Sequence, residues 1–256
     1  MNILAYNLPQ EYDTLELFPL SDLHYGDPNT DTEAFEHFCG MILDKPNRYI
    51  VSIGDNINNN TKSSVGSVYD DICSPRKQKK WIVERLNPLK DRILVMLDGN
   101  HEYRSTKDVD ETISYNIANA LGIEGVYAED EAVLKITFGK KQENGKARCF
   151  TVYCTHGSGG GKRPGSTVNN IEMLALSIDA DIYIIGHAHK RIAYKNSFRR
   201  IDTHNNSILT RERLFVVSSS WVDYGGYAAR KMMNPSAKGS VPVILYAKNG
   251  YMEARV

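Results

Sequence analysis

The sequence predicts an α/β fold in which a largely parallel sheet, covered by helices, packs against a second, more antiparallel sheet. Three observations predict it. Short β-branched runs alternate with stretches of helical period over the first two thirds of the chain. The last third carries strand and turn signals alone. No Pro- or Ser-rich linker divides the chain, so residues 1–256 read as one domain.

Taken in order, the apolar runs at 15–20, 49–53, 93–97, 150–155 and 182–185 read as buried strands, because strands covered on both faces lose the polar alternation. Helical periodicity fills the gaps at 32–43, 75–89, 108–121 and 168–178. The second of these has Ser74 as its cap and Pro75 in its first turn, where a missing N–H costs nothing, and the third stops at Gly122. Further strands are expected at 191–195, 213–219, 242–247 and 251–254, with an Asn249-Gly250 turn joining the last two as a hairpin. Two loops, 56–66 (NINNNTKSSVG) and 157–165 (GSGGGKRPG), directly follow strand ends, where α/β sheets place their ligand loops.

Composition excludes several classes. At 256 residues, 41% hydrophobic and 24% charged, the chain is neither disordered nor fibrous. No apolar run approaches the roughly 18 to 20 residues of a membrane span, and residues 1–13 lack a basic and apolar leader, so no membrane partner is expected. Cys39, Cys73, Cys149 and Cys154 form no C-x-x-C pair, which fits a reducing cytoplasm. Cys149 and Cys154 stand at odd separation on one strand and are expected to face opposite ways. The charges balance at 31 of each sign but not along the chain: residues 1–139 hold 13 basic and 23 acidic side chains, residues 140–256 hold 18 and 8. An acidic cation site beside a basic anion-binding rim would produce such a split.

Five polar clusters follow the five predicted strands: Asp22-Leu23-His24, Gly54-Asp55-Asn56, Gly99-Asn100-His101-Glu102, Thr155-His156-Gly157 and Gly186-His187-Ala188-His189. Each alone is an ordinary turn sequence. Together they hold five of the seven histidines, leaving only His37 and His204 outside. A parallel sheet gathers the carboxyl ends of its strands at one edge, so these residues are expected to meet. Carboxylate, imidazole and amide oxygen without thiolate suit manganese, iron, zinc, nickel or cobalt. Eight protein contacts satisfy two metals when a two-oxygen carboxylate such as Asp55 bridges them. The glycines at 54, 99, 157 and 186 are expected to let the backbone turn sharply there.

The ordered set D-x-H, G-D, G-N-H-E, H-G and G-H-x-H, over residues 18–190, resembles the calcineurin-like metallophosphoesterases. The resemblance implies a four-layer α/β/β/α sandwich of two mixed sheets and a centre of two divalent metal ions, with manganese the first choice. It assigns Asp22, His24, Asp55 and His189 to one metal and Asp55, Asn100, His156 and His187 to the other. It sets His101 against the substrate, to protonate a leaving group or stabilise developing charge. Glu102 reads equally as a residue orienting a ligand or as an exposed acid at a helix start.

The implied reaction is hydrolysis of phosphate esters, with phosphodiesters of nucleic acid or nucleotides ahead of monoesters. A serine/threonine protein phosphatase is disfavoured: that subclass has G-D-x-x-D-R-G, and Asn58 and Asn59 stand at the acidic and arginine positions. A purple acid phosphatase would have tyrosine at position 58. The missing acid leaves open what orients His101. A non-catalytic binding module on the same scaffold would be marked by lost ligands, and none is lost. Lys162, Arg163 and Arg191, close in sequence to His156 and His189, are candidate substrate-phosphate ligands. Lys190, Arg199, Arg200, Arg211 and Arg213 extend that basic character. Residues 221–239 mix aromatics with Arg230, Lys231 and Lys238, usable for stacking bases, and equally read as a loop that packs its aromatics on the sheet edge. The spacing of Tyr227, Pro235 and Gly239 there is similar to small phage-type phosphoesterases.

Overall fold

In the computed structural model residues 1–256 are described except 144, 160, 162 and 226–233. Among the described residues twelve strands form two six-stranded mixed sheets. The first sheet has the order β12 (Met252–Ala254), β11 (Val243–Tyr246), β2 (Thr14–Leu20), β3 (Arg48–Ser52), β4 (Ile93–Leu97) and β5 (Tyr127–Ala128). The second has the order β1 (Asn2–Asn7), β6 (Glu131–Phe138), β7 (Arg148–Thr155), β8 (Ile182–Ile185), β10 (Ser207–Val217) and β9 (Ile192–Asp202).

Side-chain alternation along the strands makes the layers. Leu15 and Leu17 of β2, Tyr49 and Val51 of β3, Leu134 and Ile136 of β6, and Val152 and Cys154 of β7 point into one core between the sheets. The alternate residues Phe18, Leu20, Ile50 and Met96 face α1 (Thr32–Leu43), α2 (Pro75–Leu86) and α4 (Ile113–Leu121). On the far side, Tyr153, Tyr183 and Phe215 pack with Ile171 of α5 (Pro164–Ser177). The result is the expected helix, sheet, sheet, helix stack.

Two expectations about the sheets need correction. The last third does not form the second sheet by itself: β11 pairs antiparallel with β2, so the C-terminal hairpin extends the first sheet, while β9 and β10 extend the second from β8. Nor do the five motif-bearing strands share one sheet. Neighbouring parallel strands β2, β3 and β4 lie in the first, and the parallel pair β7 and β8 in the second. The carboxyl edges of the two sheets meet instead, joined by His156 Nδ1 to Ile53 O at 2.7 Å and His187 N–H to Asp22 Oδ2 at 2.9 Å.

Local differences have local causes. The expected helix over 108–121 is two helices, α3 (Glu102–Val109) and α4, because Asp110 takes the left-handed conformation (φ 57°) and ends the first. The helix from Pro75 stops at Leu86, and residues 87–92 continue as a tighter 3-10 turn. Strand β6 is not among the expected strands, although Ala132, Leu134, Ile136 and Phe138 are buried in strict alternation with Glu131, Val133, Lys135 and Thr137. The 56–66 segment is anchored, with Asn56, Asn58, Asn59 and Asn60 buried. All four cysteines are free, Cys154 buried and Cys149 exposed on opposite faces of β7. Among the described residues no helix is long and apolar enough to cross a membrane.

Candidate metal centre

Asp22, His24, Asp55, His187 and His189 all have φ between 50° and 60°. Left-handed backbone costs a non-glycine residue about 1 to 3 kcal/mol and persists only where the surroundings impose it. Here a backbone ladder beyond the strand ends imposes it: Asp22 N–H donates to Gly54 O (3.1 Å), His24 N–H to Asp55 O (2.9 Å), and Trp221 N–H to Asp22 O (3.1 Å). The positive φ at both ends of D-x-H and H-x-H brings alternate side chains to one place.

Among the neighbouring glycines, Gly54 and Gly157 supply positive φ, as expected. Gly99 and Gly186 do not; they are small because the site is crowded. A Cβ at Gly99 would stand 2.2 Å from Asp55 Oδ1 and 2.5 Å from Asp55 N, and one at Gly186 would stand 1.8 Å from Ser21 Oγ.

Two groups of ligand atoms result. In one, His24 Nε2 lies 3.2 Å from His189 Nε2 and 3.7 Å from Asp22 Oδ1, with His189 Nε2 3.1 Å from the same oxygen. In the other, His156 Nε2 lies 3.3 Å from Asp55 Oδ2 and 3.1 Å from Asn100 Oδ1, which is 2.8 Å from His187 Nδ1. Asp55 Oδ2 is also 3.8 Å from His24 Nε2, so this carboxylate stands between the groups. Asp22, His24 and His189 offer ligand atoms within 4.8 Å of one another, and so do Asp55, His156 and His187, and likewise His24, Asp55 and His101.

The donors fit a cation better than they fit each other. Asp22 is fully buried, yet its Oδ1 accepts no hydrogen bond, although two ring nitrogens stand near it. Its other oxygen is satisfied by Ser21 Oγ and His187 N–H. A buried carboxylate oxygen left unpaired is costly unless a positive charge faces it. His156 donates its Nδ1 proton to Ile53 O, which turns Nε2 inward as the nitrogen that would ligate once its own proton is lost, the orientation a ligating histidine requires. The electrostatics agree. Burial pushes the Asp22 and Asp55 carboxyls up, but the histidines around them hold both well below the carboxylate range. Against the same burial, Asp55 drives His156 up to about 10.

Glu102 is buried, not an exposed helix-start acid. Its Oε2 accepts from Asp55 N–H (2.8 Å) and Gly99 N–H (2.9 Å), and its Oε1 from Asn56 N–H (2.8 Å). Burial and the charges of Asp55 and Asp98 push its carboxyl upward, while these donors pull it down. Both oxygens meet N–H donors, so a proton on either would lack an acceptor, which selects the carboxylate. Glu102 thus ties the Asp55 turn to the Asn100 turn.

His101 stands beside the centre, its Nε2 3.9 Å from Asp55 Oδ2 and its backbone N–H bonded to Asp55 Oδ1 at 2.8 Å. Its Nδ1 lies 2.7 Å from the backbone oxygen of Asn58, so a carbonyl serves where the sequence lacks an acid. Burial, with the nearby charges of His24 and Arg104, pushes the ring down to about 3.

The cleft over these residues has a volume of about 1340 Å³. Arg191 lines it, with its Nε buried and unpartnered. Arg163 is exposed and caps α5, outside the residues lining the cleft. Lys162, and with it Tyr227, Arg230 and Lys231, lies outside the described residues. Lys190 also lines the cleft, and its ammonium donates to Gly161 O (2.6 Å) and Thr167 Oγ1 (3.1 Å), pinning the glycine-rich loop. Arg104 lines the cleft and touches His101, a role that no motif in the sequence marks.

No protein-family model and no curated protein sequence matches the chain. Solved structures similar to it include Vacuolar Protein Sorting 29 from Cryptosporidium parvum, 15% identical over 95% of this chain and 97% of that one, at a TM-score of 0.42. A predicted phosphoesterase from Streptococcus pneumoniae is 14% identical over 94% of this chain and 97% of that one, at 0.41. A metallophosphoesterase from Sphaerobacter thermophilus is 13% identical over 94% and 87%, also at 0.41.

Proposed function

We propose that the chain is a metal-dependent phosphoesterase of the calcineurin-like kind, acting on phosphodiesters of nucleic acid or nucleotides ahead of phosphomonoesters. The carrying observation is the Asp55 carboxylate between two groups of inward-facing histidines, beside the Asp22 Oδ1, which accepts no hydrogen bond. In this reading Asp22, His24, Asp55 and His189 hold one divalent cation, and Asp55, Asn100, His156 and His187 the second. Bound there, two divalent cations would supply Lewis-acid polarisation of a phosphoryl group and a water of lowered pKa.

The chain's own residues do the rest. Ile53 O and Glu102 orient His156 and the Asp55 turn, so the ligands are placed before any cation arrives. His101 meets the phosphoryl group from the Asp55 side. Arg191 offers guanidinium N–H groups to a phosphate oxygen. A cleft of about 1340 Å³ exceeds the few hundred to 1,000 Å³ of ordinary small-ligand pockets, which leaves room for a substrate with a bulky ester group.

The test is hydrolysis of bis-p-nitrophenyl phosphate against p-nitrophenyl phosphate with manganese, nickel, zinc or EDTA, using His101→Ala as the blank. Diester turnover abolished by EDTA is expected, with metal content unchanged in His101→Ala. Monoester-only turnover moves the substrate to phosphomonoesters, and silence on both substrates overturns the enzymatic reading in favour of a binding module.

A further inference from the structure

A carbonyl oxygen carries no proton, so the 2.7 Å contact between His101 Nδ1 and Asn58 O places a proton on Nδ1. In that tautomer Nε2 presents a lone pair. Arg104, one helical turn onward, puts its Nη2 2.8 Å from that nitrogen. A guanidinium has donors only, so the bond runs from Arg104 to the ring. The same guanidinium donates through Nη1 to Asn58 O and to Asn60 Oδ1, both at 2.9 Å. Arg104 therefore grips the free side of the ring and the carbonyl that holds the other side.

The grip is itself braced. Asp71 Oδ1 accepts from the side-chain amides of Asn58 and Asn60, each at 2.7 Å, and Asp71 Oδ2 accepts from Gln78 Nε2 at 2.8 Å. Gln78 Oε1 accepts from Asn59 N–H at 2.9 Å, and Asn59 Nδ2 returns to His101 O at 2.6 Å. The three asparagines and Gln78 are buried. Buried networks in which every member is satisfied hold one arrangement.

We infer that Arg104 is a positioning residue for His101: with Asn58 O it fixes the Nδ1–H tautomer and occupies the Nε2 lone pair, replacing the acid this chain lacks at position 58. The bonding pattern stands on the structure alone; its consequence for turnover rests on the phosphoesterase reading. His101 then enters the reaction as a held ring and not as the donor of a proton to the leaving group.

The experiment reads the ring directly, by long-range 1H–15N correlation of 15N-histidine-labelled protein, metal-free and zinc-loaded, with His101→Ala assigning the signals. Wild type is expected to show a protonated Nδ1 and an acceptor Nε2. In Arg104→Gln the two tautomers are expected to mix. For bis-p-nitrophenyl phosphate, kcat should fall roughly 10- to 100-fold, the usual cost of losing such an outer partner, with KM and zinc content unchanged. Arg104→Lys, keeping one donor, should restore part of both readouts, and carries the test if the Gln variant does not fold. An unchanged ring pattern in Arg104→Gln, a wild-type ring protonated on Nε2, or a loss confined to KM would each overturn the assignment, the last by making Arg104 a phosphate ligand. If wild type hydrolyses no ester, the ring spectra still decide the clamp, while the phosphoesterase reading falls separately.

Discussion

Replacing Glu102 by Gln tests whether a buried carboxylate holds the metal turns together. The native side chain receives two strong bonds on Oε2, from Asp55 and Gly99, and one on Oε1 from Asn56, with Ile57 N–H at 3.4 Å. Glutamine keeps one oxygen, best used on the Asp55 and Gly99 pair, and turns its NH2 against the Asn56 and Ile57 donors. A buried donor left unpaired costs about 1 to 3 kcal/mol, and each remaining bond weakens by about 1 kcal/mol when its acceptor loses its charge. Relief of the carboxylate's desolvation offsets part of this. The expected loss is about 3 kcal/mol. With a urea slope of about 3 kcal/mol per molar for a chain of this size, the unfolding midpoint of the metal-free protein should fall by about 1 M. A fall below about 0.3 M would refute the reasoning, since it would mean that the donors gain little from the negative charge.

Gly99→Ala forces a Cβ against the Asp55 backbone and carboxylate; elemental analysis should show at least one cation lost, and full occupancy would count against the crowding. Asp55→Asn should also empty at least one site, and two retained equivalents would sink the bridging role. In the metal-free protein, His156, raised to about 10, gives stability that is full below its unfolded value of 6.5 and is lost as pH rises toward 10. His101, lowered to about 3, and the lowered Asp22 and Asp55 give stability that is lost as pH falls. Urea midpoints across pH should therefore peak near pH 6 to 7, and a monotonic profile would contradict the balance. A ligating histidine must be deprotonated, so zinc binding at pH 7 should release a proton; calorimetric heats that do not vary with buffer ionisation enthalpy would argue against it.

Much of the fold was legible because apolar runs and helix signals are local. The strand Ile93–Leu97 and the helix Thr32–Leu43 have the bounds their sequences predict. The two joined helices after His101 were not separable in this way, since the left-handed Asp110 that divides them is one residue in a continuous polar and apolar pattern. Strand β6 was legible in its alternation, and β1 (NILAYN), an edge strand, alternates only weakly, with Leu4 and Tyr6 half-buried between exposed neighbours.

The sequence by itself determined the donor types, their order and their places at strand ends, because these follow from residue identity and short-range periodicity. Tertiary structure decided how the ends meet. Splitting the motif strands between two sheets is a matter of long-range pairing, invisible to local pattern, and it sets His156 against Ile53 O. The same holds for the residues around the centre. Glu102 reads equally as a residue orienting a ligand or as an exposed helix-start acid until burial gives it N–H donors from the Asp55 turn, and the hold of Lys190 on the Gly161 carbonyl is set by the folded loop. Arg104 carries no motif, and the helix that starts after His101 sets its guanidinium onto that ring. Hydrogen bonds between residues some forty positions apart have no signature in spacing, because only the closed fold fixes their distance and angle.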